Sequence, residues 1–191
     1  MATTTTRRDF LQLAAGGLVA ASAGLAAAPR FDVVIRGGTI VDGSGTRATR
    51  NDLGIRGDRV TAIGDLADAD AKRSIDATGR IVCPGFIDMH SHSDSSLLED
   101  GLAQSAVRQG ATTHVIGNCG SSPAPVGSPV QLFGHTLSTY GDFLKALQKS
   151  RTSINVCGLV GHNSVRKAVM GTQNRQPTPV ELRRMQDLVD E

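Results

Sequence analysis

The chain is poor in aromatic residues, with no Trp, one Tyr and five Phe among its 191 residues. The hydrophobic fraction is still 39%, so a core of Val, Ile, Leu and Ala side chains can form and a disordered chain is excluded. The chain also lacks an excess of charge of either sign, because 20 Lys and Arg are balanced by 18 Asp and Glu. Since no basic stripe interleaved with aromatic residues occurs either, the sequence excludes a nucleic-acid-binding protein.

Cysteine is scarce, and the three cysteines form an odd number. A framework of disulfide bonds is therefore not expected. Cys83 and Cys157 lie in apolar runs, where a thiol usually behaves as a small hydrophobic side chain, and we expect both in the core. Cys119 differs, because it lies in a glycine-flanked segment that follows an apolar run.

A long, strongly apolar run is also lacking. Residues 1–28 contain Arg7 and Arg8, then Phe10 and Leu11, and a tract of Ala, Gly, Leu and Val, which is the layout of a twin-arginine-type export signal. A transmembrane anchor is the alternative, but the tract is shorter and less apolar than the roughly 20 residues that a membrane span needs. We therefore expect an exported protein, periplasmic or extracellular, without a stable membrane span.

Residues 29–82 consist of short apolar runs separated by glycine-containing turns. Gly57-Asp58 is suited to a type II′ hairpin, and a second pair of strands is expected on either side of Thr78-Gly79. This pattern predicts a small antiparallel segment of the β-sandwich kind.

Residues 83–191 show a different pattern, in which apolar runs alternate with helical periodicity. We expect strands at residues 112–116 and 154–160, the second of them buried on both faces. The expected helices are residues 99–109, 141–149, 164–170 and a last one that begins with a capping box of Thr178 and Glu181. The alternation predicts an α/β architecture around a parallel sheet.

His90 and His92 flank one serine at the end of an apolar stretch. In an extended chain, residues two positions apart point the same way, about 6 to 7 Å from each other. The pair can therefore present two imidazoles to one metal ion. Two polar residues at a strand end would show the same spacing, so the surrounding sequence has to decide.

The surroundings of this pair resemble the amidohydrolase superfamily. Residues 84–94 read Pro-Gly-Phe-Ile-Asp-Met-His-Ser-His-Ser-Asp, and residues 32–43 read Asp-Val-Val-Ile-Arg-Gly-Gly-Thr-Ile-Val-Asp-Gly. The resemblance spans roughly residues 31–191. It implies a small β-sandwich segment at residues 29–82, followed at residues 83–191 by the start of a (β/α)₈ metal-dependent hydrolase barrel with about three βα units.

Residues 115–121, Val-Ile-Gly-Asn-Cys-Gly-Ser, resemble the N-acyl-D-amino-acid deacylase (D-aminoacylase) family within that superfamily. The resemblance implies that Cys119 binds zinc together with His90 and His92, with one or two zinc ions in the site. A spare loop thiol is the alternative for this cysteine. Hydantoinases and dihydroorotases use a carboxylated lysine instead, and no lysine lies between positions 72 and 145.

Three further residues are candidates for the substrate pocket or for support of the ligands. Asp94 is expected either to orient a metal-binding imidazole or to cap a helix, and Asn118 belongs to the glycine-flanked segment. His162 is expected either in the pocket or in a structural role. His114 and His135 have no motif support, and we expect them to be surface or structural residues.

The resemblance implies a zinc-dependent hydrolase of linear amide bonds that acts on small N-acyl-D-amino acid substrates. In the family, a general-base aspartate and two further zinc-binding histidines come from later barrel strands, so no catalytic residue is expected within this chain. We therefore expect the chain alone to be incomplete and inactive. The alternatives are a cyclic amidase of the hydantoinase or dihydroorotase kind, a non-catalytic truncated product, and one part of a split protein that binds a complementary chain.

Overall fold

The structure, a computed structural model, describes residues 30–191. The export signal expected in residues 1–28 lies outside the described residues. The described chain contains two compact units, which divide between Pro84 and Gly85. Within residues 30–191, no helix has the length and apolar character needed to cross a membrane.

The first unit is a five-stranded sheet. Its strands are β1 (Phe31–Ile40), β2 (Thr49–Arg56), β3 (Arg59–Gly64), β4 (Ala71–Asp76) and β5 (Ile81–Val82). They lie in the order β3-β2-β1-β4, and β5 also pairs with β1. The β1–β2 and β2–β3 pairs are antiparallel, whereas β4 and β5 run parallel to β1. The sheet is therefore mixed, and the wholly antiparallel unit expected from the sequence is wrong in this respect.

Two turns account for this topology. Gly57 and Asp58 connect β2 to β3 as a two-residue hairpin, with Gly57 at φ 60°, as the sequence predicts. The turn around Gly79 makes no hairpin, because β4 and β5 both pair with β1. Since β1 is ten residues long, β4 pairs along its first part and β5 along its last two residues. After the turn, β5 therefore continues alongside β1 in the same direction as β4, and the chain does not reverse.

The second unit combines a parallel three-stranded sheet with helices. The strands are β6 (Phe86–Asp88), β7 (Ala111–Ile116), β8 (Val130–Leu132), β9 (His135–Leu137) and β10 (Asn155–Gly158). The parallel sheet has the order β10-β7-β6, and β8 and β9 form a separate antiparallel pair. The helices are α1 (Ser96–Glu99), α2 (Gln104–Val107), α3 (Tyr140–Ser150), α4 (His162–Met170) and α5 (Pro179–Asp190). The expected α/β architecture with a parallel sheet is confirmed.

The single helix expected at residues 99–109 is wrong, because α1 and α2, of four residues each, take its place. Ala103 between them has a left-handed φ of 45°. Gly101 packs against the end of α3, where Ser153 N donates to its carbonyl oxygen at 2.7 Å and an added Cβ would lie 2.7 Å from Ser150 O. These partners are distant in sequence, so local periodicity cannot indicate the break.

Strand β10 lies at an edge of the sheet and is not buried on both faces. Within residues 30–191 it pairs only with β7, and Val156 is its one half-buried residue. Cys157 on this strand is exposed, and so is Cys83 after β5, so the core positions expected for both thiols are wrong. A strand with one neighbour and one uncovered face leaves its side chains in contact with solvent.

The core of the second unit packs around β7 and α3. Ile116, Leu137 and Phe143 are fully buried in it. Helix α3 begins with a capping box, in which Thr139 Oγ1 accepts from Asp142 N and the Asp142 carboxylate accepts from Thr139 N. This packing fixes the carboxyl end of β7, where the candidate site begins.

The last helix begins as the sequence predicts. Thr178 Oγ1 accepts a hydrogen bond from Glu181 N, the Glu181 carboxylate accepts one from Thr178 N, and Pro179 is the first helical residue. Helices α3 and α4 also begin within two residues of their expected positions. Local capping and periodicity are thus sufficient to predict these three helices.

Candidate metal centre

The candidate site lies at the carboxyl ends of β6 and β7. Strand β6 ends at Asp88, and His90 and His92 follow directly after it. Strand β7 ends at Ile116, and Cys119 follows in a 3-10 turn. Because the two strands are parallel neighbours, their carboxyl ends meet at one edge of the sheet, which is where ligands bind in open α/β folds.

The three residues predicted as zinc ligands lie together in the structure. Cys119 Sγ is 3.2 Å from His90 Nε2 and 3.6 Å from His92 Nε2. The potential ligand atoms of all three lie within 4.8 Å of one another, and all three residues are exposed. In a tetrahedral zinc site, sulfur and nitrogen ligands lie about 3.6 Å apart. The spacing and the donor types therefore suit one zinc ion.

A strained turn directs Cys119 toward the two histidines. Cys119 has φ 55° and ψ 26°, in the left-handed region, which is unfavourable for a residue with a side chain. Gly117 and Gly120 on either side have φ 80° and 77°. At Gly117, an added Cβ would overlap the carbonyl oxygen of Leu159, so only glycine suits this position. Strain of this kind concentrates at functional sites.

Asp94 supports this turn in a way that the sequence did not indicate. Its buried carboxylate accepts a hydrogen bond of 2.7 Å from Gly117 N. The helix-capping alternative is wrong, since the N-cap of α1 is Ser95 and no side chain caps that helix, whereas orientation of His92 by Asp94 stays a prediction. The buried amide of Gly117 has no strand partner at this bend, so the carboxylate takes the place of a carbonyl acceptor. Asp94 thereby acts on the cysteine side of the cluster.

Asn118 makes a second set of contacts beneath the cluster. Its side-chain amide donates to Val115 O at 2.8 Å and to Ser91 O at 3.3 Å. These bonds join the segment after β7 to the segment after β6, because Val115 belongs to one and Ser91 to the other. Asn118 thus contacts both segments that carry the candidate ligands, and its supporting role stays a prediction.

His162 lies away from the cluster. It is the first residue of α4, it is exposed, and it is not among the clustered donor groups of residues 30–191. It lines a separate groove of about 600 Å³ together with Val165, Leu182 and Met185. The structure therefore places this candidate pocket residue in a different cavity from His90 and the other predicted ligands.

A smaller cleft adjoins His92. It has a volume of about 290 Å³, and Asp94, Ser95 and Ser121 contribute to its polar wall. Tyr140, the first residue of α3, has a buried hydroxyl with no hydrogen-bond partner among the described residues. Burial first, and then the negative charges of Asp94 and Cys157, raise the pKa of Tyr140 to about 12. The phenol therefore stays protonated at neutral pH.

Sequence reasoning did not place His114 beside the metal cluster. This histidine is buried on β7, and its Nδ1 lies 3.1 Å from Ser91 Oγ and 2.9 Å from Ser93 Oγ. It is therefore structural, one of the two roles expected for it, but it belongs to the surroundings of the metal cluster. The signal in the sequence was the alternation of Ser91 and Ser93 with the two metal-binding candidates, since alternate residues face opposite sides.

The chain belongs to the amidohydrolase family, whose model matches residues 73–191. Within that family it is similar to the D-aminoacylase of Alcaligenes xylosoxydans xylosoxydans, with 42% identity over 170 residues that cover 84% of this chain and 35% of the relative. The resemblance inferred from the sequence is thereby confirmed. The chain spans about a third of the length of the curated relatives that it matches.

Two solved structures resemble the fold described above. One is an N-acyl-D-glutamate deacylase from Bordetella bronchiseptica, in complex with zinc and a phosphonate inhibitor that mimics the tetrahedral intermediate. It is 39% identical, with a TM-score of 0.75, and the match covers 83% of this chain and 35% of that chain. The other is a D-aminoacylase with a binuclear metal centre, 38% identical, with a TM-score of 0.78 and coverage of 84% and 36%.

Proposed function

We propose that this protein is a zinc-dependent hydrolase of linear amide bonds that acts on N-acyl-D-amino acids. The observation that carries the proposal is the approach of Cys119 Sγ to the Nε2 atoms of both His90 and His92 at the carboxyl edge of a parallel sheet. Similarity to D-aminoacylase and to a zinc-containing N-acyl-D-glutamate deacylase supports the substrate class. We further propose that residues 83–191 begin a (β/α)₈ barrel and that the sheet before them belongs to a small β-sandwich.

The residues present suit zinc. A thiolate and two imidazoles are the donor types that zinc prefers, and their spacing is near that of tetrahedral ligands. Zinc bound there would polarise the scissile carbonyl and lower the pKa of a bound water. Cys119 would contribute its sulfur as thiolate, and His90 and His92 their neutral Nε2 atoms. Asp94 and Asn118 hold the turn that carries the sulfur.

The cysteine separates this proposal from a cyclic amidase. The third donor in the cluster is Cys119, and no lysine lies between positions 72 and 145 to provide a carboxylated bridging ligand. The deacylase resemblance implies a cysteine zinc ligand where cyclic amidases use a carboxylated lysine. We therefore favour hydrolysis of linear amides over that of cyclic amides.

The cluster contains no candidate for the general base. Within residues 30–191, no Asp or Glu belongs to the group formed by His90, His92 and Cys119. Proton transfer to the leaving amine needs a positioned acid–base group. We therefore propose that the 191-residue chain by itself binds zinc without hydrolysing N-acyl-D-amino acids, and that the aspartate base belongs to the part of the relatives that this chain does not match.

We also propose that the protein is exported. The support is the pair Arg7 and Arg8, followed by an Ala-rich apolar tract within residues 1–28. Fusion of residues 1–28 to a reporter, with Arg7 and Arg8 both changed to Lys in the control, tests this. Retention of the reporter inside the cell by both fusions contradicts export.

Equilibrium dialysis of the purified chain against zinc tests the metal site. We expect about one zinc per chain, with the affinity lowered at least about 100-fold in Cys119→Ala, since a direct ligand is lost. Cys83→Ala is the matched control, because Cys83 is also exposed but is not in the cluster, and it should bind as the unmodified chain does. Equal zinc affinity in the two variants contradicts the site. Turnover of an N-acyl-D-amino acid by the chain alone, abolished by Cys119→Ala, contradicts the proposed inactivity.

A further inference from the structure

The structure assigns to His114 a positioning role for the two imidazoles of the metal cluster. We propose that this histidine holds the segment after β6 through two serine hydroxyls and thereby sets the direction of His90 and His92. The inference rests on the proposed metal site. No direct contact with metal or substrate is involved, so His114 acts only through Ser91 and Ser93.

Three polar atoms form a closed triangle behind the cluster. His114 Nδ1 lies 3.1 Å from Ser91 Oγ and 2.9 Å from Ser93 Oγ, and the two hydroxyl oxygens are 3.0 Å apart. His114 and Ser91 are 6% and 8% exposed, and Ser93 is half-buried. Hydrogen bonds shielded from water to this degree are costly to lose, because each leaves an unpaired polar group.

The hydrogen bonds of the triangle have one consistent order. Ser91 Oγ–H donates to Ser93 Oγ, and Ser93 Oγ–H can then donate to a neutral His114 whose Nδ1 carries no proton. In that order both serine hydroxyls have an acceptor. A proton on Nδ1 would leave the Ser93 hydroxyl without one. In this order the triangle satisfies both hydroxyls and joins each serine to β7.

The segment that carries the two ligands needs this support, because it lies beyond the sheet. Strand β6 ends at Asp88, and residues 91–93 have no regular secondary structure. Its only backbone bond to β7 is donated by Ser91 N to Val115 O, at 3.0 Å, among the described residues. The Asn118 amide also binds Ser91 O, and Asp94 binds Gly117 N, so the stretch is held at Ser91 and at its far end. Neither contact acts on the side chains of His90 and His92. The Ser91 and Ser93 hydroxyls add the contacts nearest to the two imidazoles.

Alternation makes the serines suitable for that purpose. His90 and His92 are exposed on the side of Cys119, while Ser91 is buried and Ser93 half-buried on the opposite side. In an extended segment, fixing the alternate side chains on one side fixes the direction of those on the other. His114 is itself held on β7, the central strand, between β6 and β10. The orientation of the segment that carries His90 and His92 is therefore fixed relative to β7, the central strand of the parallel sheet.

Cobalt binding to the whole chain tests the assignment, since Co²⁺ replaces zinc and its absorption reports the ligand geometry. We expect His114→Leu to weaken Co²⁺ binding about tenfold and to change the thiolate-to-cobalt band. His114→Asn should restore both, because its side-chain amide places a polar atom near the position of Nδ1. His135→Leu is the matched control, since His135 lies on the separate β8–β9 pair.

A second variant tests the same contact in case His114→Leu does not fold. The double variant Ser91→Ala/Ser93→Ala removes the other side of the triangle with small changes, and we expect the same tenfold loss. The triple variant His114→Leu/Ser91→Ala/Ser93→Ala should bind Co²⁺ no more weakly than His114→Leu or the double variant, because all three remove the same contact. Urea unfolding of metal-free chains supplies the reference for stability.

The outcomes separate this inference from the proposed function. Co²⁺ binding by His114→Leu and by the double variant that equals that of the unmodified chain overturns the positioning role alone. Losses that His114→Asn fails to restore, or that add in the triple variant, also overturn it. Absence of Co²⁺ binding by the unmodified chain overturns the metal site and, with it, the inference.

Discussion

Asp52 in the five-stranded sheet and Asp94 beside the metal cluster make the same contact in two different regions. Each accepts a hydrogen bond of 2.7 Å from the backbone N–H of a glycine with positive φ, Gly37 in one case and Gly117 in the other. Asp52 is half-buried and accepts a second bond, from Leu66 N at 3.1 Å. Asp94 is buried, and its glycine begins the turn that carries the candidate thiolate ligand.

The difference lies in what the glycine turn has to do. In the sheet, the carboxylate closes a bulge in β1 and a loop after β3, so its loss affects only the fold. Beside the cluster, the same contact determines where Cys119 Sγ lies relative to two imidazoles. The same kind of contact is therefore structural in one region and functional in the other, according to the residues that follow the glycine in the chain.

The largest effect is expected from Gly117→Ala. A Cβ there overlaps Leu159 O at a φ of 80°, so we expect a loss of about 3 kcal/mol or more in the free energy of unfolding, together with loss of zinc binding. Gly134→Ala is the matched control, with φ 79° and nothing within 4 Å of an added Cβ, and should cost about 1 kcal/mol. Tyr140 is the only tyrosine and tryptophan is absent, so its fluorescence reports unfolding of this unit. Equal costs for the two variants would contradict the close approach.

A smaller effect is expected from removing each aspartate in turn. Asp94→Ala leaves the buried Gly117 amide unpaired, and we expect a cost of about 2 kcal/mol, seen by Tyr140 fluorescence, with weaker zinc binding. Asp52→Ala should also destabilise the chain, as seen by circular dichroism, but leave zinc affinity unchanged. Asp94→Asn keeps an acceptor oxygen and serves as the conservative control. Zinc affinity that falls equally in both Ala variants would contradict a specific role of Asp94 in placing Cys119.

The smallest effect concerns acid stability. Arg175 first, and then Thr178 N–H, lower the pKa of Glu181 to about 2, and Lys72 followed by Gly57 N–H lower the pKa of Asp32. A carboxyl whose folded pKa is depressed stabilises the fold above its unfolded pKa, and that stability is lost as the pH falls toward the folded pKa.

We therefore expect the free energy of unfolding to fall between about pH 5 and pH 2, with a shallower fall in Glu181→Gln followed by Tyr140 fluorescence. Asp32→Asn is the counterpart in the sheet and should leave the Tyr140 signal at each pH unchanged. An unaltered pH profile in Glu181→Gln would show that the ion pair with Arg175, at 2.5 Å, does not contribute to stability.

The parts that the sequence predicts are those determined by neighbouring residues. The capping box of Thr178 and Glu181 and the hairpin at Gly57 depend on contacts within a few positions, and both are observed. The three clustered donors were found because short motifs around them resemble a family, since spacing alone left the His90 and His92 pair ambiguous.

The parts that were missed depend on partners far along the chain. The break in the helix at residues 99–109 follows from the packing of Gly101 against the end of α3. The contacts of His114 and Asp94 join residues 21 to 23 positions apart. Neither periodicity nor propensity carries information about such pairs, because both describe only local sequence.

The alternation in His90-Ser91-His92-Ser93 makes this short stretch two-sided, and the two sides are open to change in different ways. To change the metal preference, the histidines would be replaced by other donors and the serines kept. The new side chains would then point in the same direction as the histidines. Replacing the serines instead would leave the orientation of His90 and His92 less constrained. In a library built on this chain, positions 91 and 93 are therefore the ones to hold constant.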